Sequence, residues 1–250
     1  MTIGNVRYRS FSSICAPENV LYGQFGRVTW TNMAHYLDSL DDLREGLDTF
    51  VEKWANIQRK SVKSIQALTN TIMQIEHLDG PLGKLETFQN IREDAKGILL
   101  VNLYDRLVPA LESSIREFTK LMHMFENLRH TSSKIQTLTE TMRGNLTESP
   151  ELEDLVGFLD LIMISVRDIL NMYESEFLVK LTIFRDFEEG AIEIGVVSNY
   201  LTIWGIEPNI EQNARDKLLK DLDEHVELLR DVFAGKTGIR IPDSYKKIQL

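Results

Sequence analysis

Met33, Leu37, Leu40, Leu47, Phe50, Trp54, Ile57, Ile65, Leu68, Ile72 and Ile75 recur at steps dominated by three and four, the spacing that lines one face of an α-helix. The run predicts a helix of roughly 45 residues, about 70 Å at 1.5 Å rise per residue. Asp79-Gly80-Pro81 ends it, because the proline cannot continue the hydrogen-bond ladder.

A second run starts near Lys84 and reaches Arg143, about 90 Å if continuous. Within it Leu111, Phe118, Phe125, Ser132 and Thr139 repeat every seven residues, as do Leu121, Leu128, Ile135 and Met142. Two series three positions apart make a heptad seam facing one partner along a left-handed supercoil. Pro109 interrupts this helix, but Leu103, Leu107 and Leu111 carry the apolar pattern through it, so the expectation is a bend and not a break.

Gly144 to Pro150 ends the second helix, with Ser149-Pro150 placed to cap the third. The third run uses Leu152, Leu155, Leu159, Ile162, Val166, Ile169, Tyr173, Phe177, Leu181, Phe184 and Phe187 and is expected to continue to Trp204. Glu207-Pro208 then starts a shorter fourth helix bearing Leu218, Leu222, Val226, Leu229 and Phe233. Helices this long exceed the three turns of an average helix and must lie antiparallel to bury one another's seams. A narrow bundle still leaves apolar surface, for which dimerisation is the usual remedy. The expected fold is therefore all-α: an elongated antiparallel bundle of three long, kinked helices with a dimeric coiled-coil core and a short C-terminal helix. Its divisions are an arm at 1–29, a helical domain at 30–234 and a basic tail at 235–250. Trp54 and Trp204 belong to that core, since aromatic residues at helical spacing are usually packed inside.

Composition adds partners and exclusions. With 43% hydrophobic and 26% charged residues, the chain has the balance of a folded protein. The single cysteine, Cys15, excludes an internal disulfide framework and a cysteine zinc cage, and points to a reducing compartment. No stretch is apolar for long enough to span a bilayer. The first seventeen residues hold Arg7 and Arg9 but no carboxylate, which fits either a frayed arm or a targeting peptide. Net charge is −10 and unevenly spread. Acids outnumber bases nineteen to seven from Glu151 to Gly235, whereas Lys236, Arg240, Lys246 and Lys247 make the tail basic. So acidic a chain excludes nucleic acid as the expected partner.

The layout of three long helices after a short arm resembles the BAR and F-BAR superfamily of membrane-curving dimers. Leu103-Tyr104-Asp105-Arg106-Leu107-Val108-Pro109-Ala110-Leu111 is similar to the valine, then proline-leucine segment in the kinked second helix of many BAR proteins. Phe184-Arg185-Asp186-Phe187-Glu188-Glu189, leading to Tyr200, Leu201 and Trp204, looks like the close of that superfamily's third helix. In size the chain is most similar to the small BAR proteins that bind Chibby at ciliary basal bodies. The resemblance implies a curved antiparallel homodimer with a basic face on anionic phospholipid. It places the chain in the cytoplasm, peripheral on an intracellular membrane, with the basal body or the mitochondrial surface as candidates. The sequence departs from the pattern between Asn145 and Asp160, where five acids and no base stand, while the tips of strong membrane benders are commonly basic.

Opposite the Phe118 and Leu121 seam runs a line of Arg116, Lys120, His123, Asn127, His130 and Lys134 without a carboxylate. Such a stripe attracts acidic headgroups, each Lys or Arg near the surface contributing about 1 kcal/mol. A second basic cluster, Lys53, Arg59, Lys60 and Lys63, lies in a stretch with no acid between Glu52 and Glu76. Both are equally the composition of an ordinary solvated helix face. The basic tail, interleaved with Ile239, Ile241, Tyr245 and Ile248, suits membrane or partner contact and equally a terminal linker.

Catalytic signals are sparse. His35, His77, His123, His130 and His225 never take the spacing of a helical zinc site, and no phosphate-cradling glycine loop appears. Glu188-Glu189 with Glu193 lacks the Glu-x-x-His pairs of a di-iron bundle. The expectation is a non-enzymatic homodimer that binds or shapes a membrane and scaffolds partners, with no cofactor and no metal. The alternative is a helical adaptor that grips a small GTPase or a basic protein, as yet unidentified, without lipid.

Overall fold

The computed structural model describes residues 30–80, 89–145, 150–190 and 194–233, and every regular element among them is helical. The class is all-α. Helix α1 (Trp30–Asp79) is followed by α2 (Gln89–Asn102), α3 (Val108–Asn145), α4 (Pro150–Glu188), α5 (Ile194–Ile206) and α6 (Gln212–Phe233). The proposed start of the second helix near Lys84, the arm at 1–29 and the basic tail lie outside the described residues.

The core forms where α1, α3 and α4 bring their apolar faces together. Tyr36 Oη lies 3.2 Å from Thr139 Oγ1, Phe50 stacks 6.1 Å from Phe125, and Trp54 stacks 4.6 Å from Phe118. The order reverses along the two chains, so α1 and α3 run in opposite directions. At Gly46 the two helices pack tightly: a Cβ there would stand 2.6 Å from Leu128 Cδ2. Helices α3 and α4 are likewise opposed, through Arg143 with Asp160, Ser132 Oγ with the Met163 sulfur at 3.8 Å, and Arg129 with Glu174 at 2.9 Å. Helix α6 closes over α1 through Arg44 with Asp223 at 3.3 Å and Arg230 with Asp41 at 2.6 Å.

Pro109 leaves the helical path intact. The five residues Leu103–Leu107 just before it form a π-helical turn, closed by the Val108 N–H donating to the Leu103 carbonyl. A proline offers no N–H to the carbonyl four residues back, and one wider turn is a common way for a helix to absorb such a local fault.

The third run is where the structure departs from the expectation of one helix reaching Trp204. Helix α4 ends at Glu188, and Gly190 adopts φ +66°, the left-handed conformation that ends many helices and costs glycine little. Glu189 N–H closes the last turn on the Arg185 carbonyl at 2.9 Å. Helix α5 then runs back packed on α1, tied to α4 by Tyr200 bonded to Asp186 and by Lys180 Nζ donating to the Trp204 carbonyl at 3.3 Å. The fourth helix also begins later than Glu207-Pro208. Glu207 itself has φ +49°, and α6 starts at Gln212.

Candidate functional site

Two places concentrate polar chemistry, one exposed and one buried. On α3, Arg116, Lys120, His123, Asn127, His130 and Lys134 are all exposed, as the seam on the opposite side requires. Leu111, Phe118, Phe125 and Ile135 are fully buried and Leu121 and Leu128 nearly so, and the partners that cover them lie within the chain. Met142 falls outside the side chains described.

Lys53, Arg59, Lys60 and Lys63 on α1 are exposed as well. The opposed packing of α1 and α3 brings part of this cluster beside the α3 stripe, because Lys60 Nζ reaches Glu117 Oε2 at 3.6 Å. In that register Lys53 lies level with His123, and Lys63 lies level with Ser114, about half a turn beyond Arg116. Not every cation is available. Arg116 pairs with Glu112 one turn away, and Arg59 donates to the Ala55 carbonyl and to Asn56. Lys53, Lys63, Lys120 and Lys134 form no ion pair among the described residues.

The buried place was not anticipated. Glu176 and Lys180, one turn apart on α4, are both fully buried, and Lys180 Nζ lies 3.1 Å from Glu176 Oε1 and 3.6 Å from Glu207 Oε1. The Trp54 indole N–H donates to Glu207 Oε1 at 2.7 Å. The Trp204 carbonyl accepts from Gln58 Nε2 at 2.6 Å and from Lys180, while its indole N–H donates to Ser61 Oγ at 2.9 Å. Asn209 gives its backbone N–H and its side-chain amide to Glu176 Oε2 at 3.2 and 3.1 Å. The ammonium also sits 5.0 Å from the Trp204 ring and 5.8 Å from Phe118.

Trp54 and Trp204 are therefore core residues with polar handles, each spending its N–H on a partner from a distant segment. Burial pulls the Lys180 ammonium below the usual lysine range and lifts the Glu207 carboxyl above the usual carboxylate range. Their mutual attraction draws each back toward its charged form. With both members of the α4 pair sealed from solvent, no substrate reaches them. The arrangement ties α1, α4 and the end of α5 together through buried polar contacts.

A signal for this network did exist in the chain. Ile169, Tyr173, Glu176, Lys180, Ile183 and Phe187 continue the three-four rhythm of the buried line. The apolar Phe177 and Leu181, one residue and about a quarter turn from Glu176 and Lys180, are only half-buried. Glu188 and Glu189, considered as metal ligands, are exposed, and Glu193 lies outside the described residues. Among the described residues no three acidic, histidine or cysteine side chains gather closely enough to hold a metal, and no helix is long and apolar enough to cross a membrane. A scan of protein-family models finds none that matches this chain, and a search of curated proteins finds no similar sequence.

Proposed function

We propose that this chain is a non-enzymatic, BAR-like homodimeric scaffold that lays the basic α1/α3 surface on an anionic membrane. The observation that carries the reading is the meeting of the two basic sets: Lys60 on α1, with Lys53 and Lys63 exposed on the same helix, reaches Glu117 on α3, beside the exposed Arg116 and Lys120. The fold-back of α5 departs from the three continuous helices of the BAR plan, so support comes from this surface more than from layout.

Magnitudes favour two copies over one. Four lysines with no ion pair among the described residues, at about 1 kcal/mol each, supply roughly 4 kcal/mol toward an anionic surface, only a millimolar affinity. Two such surfaces on one rigid dimer roughly double that energy and bring binding toward the micromolar range.

Co-sedimentation with vesicles of phosphatidylcholine, with and without phosphatidylserine, tests the reading. The wild-type chain is expected to sediment only with the anionic vesicles, and the Arg116→Glu, Lys120→Glu, Lys134→Glu variant to stay in solution. Equal sedimentation of both proteins overturns it.

The adaptor reading draws on the acidic balance of Glu151 to Gly235. In the fold part of that charge is spent internally, since Asp223 and Glu227 pair with Arg44 and Arg230. Its signature is absence from anionic vesicles together with salt-sensitive capture of a purified basic protein.

A further inference from the structure

His123 and His130 stand seven residues apart on the exposed stripe of α3, with Lys120 three residues before the first and Lys134 four residues after the second. Positions three and four apart are neighbours on a helix surface, so each imidazole has a lysine beside it. Arg116 pairs with Glu112, whereas Lys120 and Lys134 form no ion pair among the described residues. Histidine is the side chain whose charge changes between about pH 5 and pH 8. The positive charge of this line therefore depends on pH.

We propose that acid strengthens the contact of the α1/α3 surface with an anionic membrane, through protonation of His123 and His130, which adds two cations beside Lys120 and Lys134. The inference rests on the membrane reading of that surface and supplies its regulation. The other charged groups near the two rings form a fixed background, because carboxylates titrate below this range and lysine and arginine above it. On α3 the exposed Glu126 lies three residues after His123 and four before His130. The opposed packing of α1 brings Glu52 and Lys53 near the level of His123 and Glu45 near that of His130. Glu45 stands 4.0 Å from Arg44, and Asp48 feels Asp223 of α6. From α4 come Glu174, paired with Arg129, and the neighbours Arg167 and Asp168, paired with each other.

Each positive charge brought near an anionic surface is worth about a fivefold gain in affinity. Two protonated rings therefore strengthen the contact about thirtyfold per copy. The negative potential of the membrane also concentrates protons at its surface. Protonation and docking are linked reciprocally, so docking in turn draws protons onto the two rings.

Co-sedimentation of the full chain with phosphatidylcholine vesicles containing phosphatidylserine, at about pH 7.5 and about pH 5.5 and one ionic strength, tests it. The wild-type protein is expected to bind about thirtyfold more tightly at the lower pH. The His123→Gln, His130→Gln variant is expected to lose that gain, and the His123→Lys, His130→Lys variant to hold the tighter binding at both values. His35→Gln, His77→Gln alters two exposed histidines outside the stripe and should keep the wild-type response. Equal wild-type binding at the two pH values, or a gain that survives the double Gln substitution, overturns the proposal and leaves the membrane reading standing. A gain of the same size on phosphatidylcholine alone overturns it too, since no anionic surface is then involved. Binding at neither pH overturns both.

Discussion

Trp54 donates its indole N–H to Glu207 Oε1 across 2.7 Å, joining the middle of the first helix to a residue held at φ +49° beyond the end of the fifth. A non-glycine residue in the left-handed region costs about 1 kcal/mol or more, and it persists because the surroundings hold it there. Trp54 and the Lys180 ammonium at 3.6 Å are what hold the Glu207 side chain.

Removing Lys180 leaves two carboxylates beside one another in a sealed site. Lys180→Met is expected to destabilise the chain by about 3–5 kcal/mol, the usual cost of breaking a buried pair. Adding Glu207→Gln should recover part of that loss, because the second change removes a charge the first left uncompensated. Urea denaturation of the two single variants and the double variant reads the coupling; strictly additive effects would show that the lysine acts by packing alone.

Gly46→Ala gains up to about 1 kcal/mol of helix propensity but drives a methyl to within 2.6 Å of Leu128 Cδ2. Overpacking of a buried contact costs typically 1–3 kcal/mol, so net destabilisation of about 1 kcal/mol is expected. Gly46→Ala combined with Leu128→Val should be more stable than Gly46→Ala alone if the clash is the cause. Thermal melts of the three proteins decide it.

At Gly190 the strain is in the backbone, since among the described residues a Cβ would meet the Tyr104 hydroxyl at an ordinary 3.6 Å. Gly190→Ala is therefore expected to cost about 1 kcal/mol. Gly190→Asn should cost less, because asparagine tolerates the left-handed conformation at helix ends. Equal losses for the two variants in chemical denaturation would contradict a backbone origin.

Burial pushes the His225 imidazole down to about 3 from its ordinary 6.5. The unfolded chain takes up this proton as pH falls below 6.5 while the folded chain resists until near 3, so the unfolded state binds more protons in that window. Stability from this site is complete above pH 6.5 and is lost progressively toward pH 3, by on the order of a few kcal/mol. Glu207 works in the opposite sense: its raised pKa adds stability as pH falls. Urea midpoints between pH 7 and pH 4 should fall less steeply in His225→Leu than in wild type.

The linear pattern of apolar residues determined the helical class, the extent of α1 and the burial of Leu111, Phe118, Phe125 and Ile135, because a helical face is written in steps of three and four. It also determined that Arg116, Lys120 and Lys134 face solvent, as positions opposite a buried seam must. Tertiary structure decided the rest. Gly190 was one small residue after Glu188-Glu189 in a pattern whose apolar positions resumed beyond it, and only α5 packing on α1 made it a reversal of direction. Glu176 and Lys180 carried the seam rhythm, but charged side chains enter a core only when partners wait there, and Glu207, Trp204 and Asn209 arrive from 24 to 33 residues away. The meeting of Lys60 with Glu117 was equally beyond a linear reading, since which exposed faces become neighbours depends on how two helices pack and not on the spacing within either.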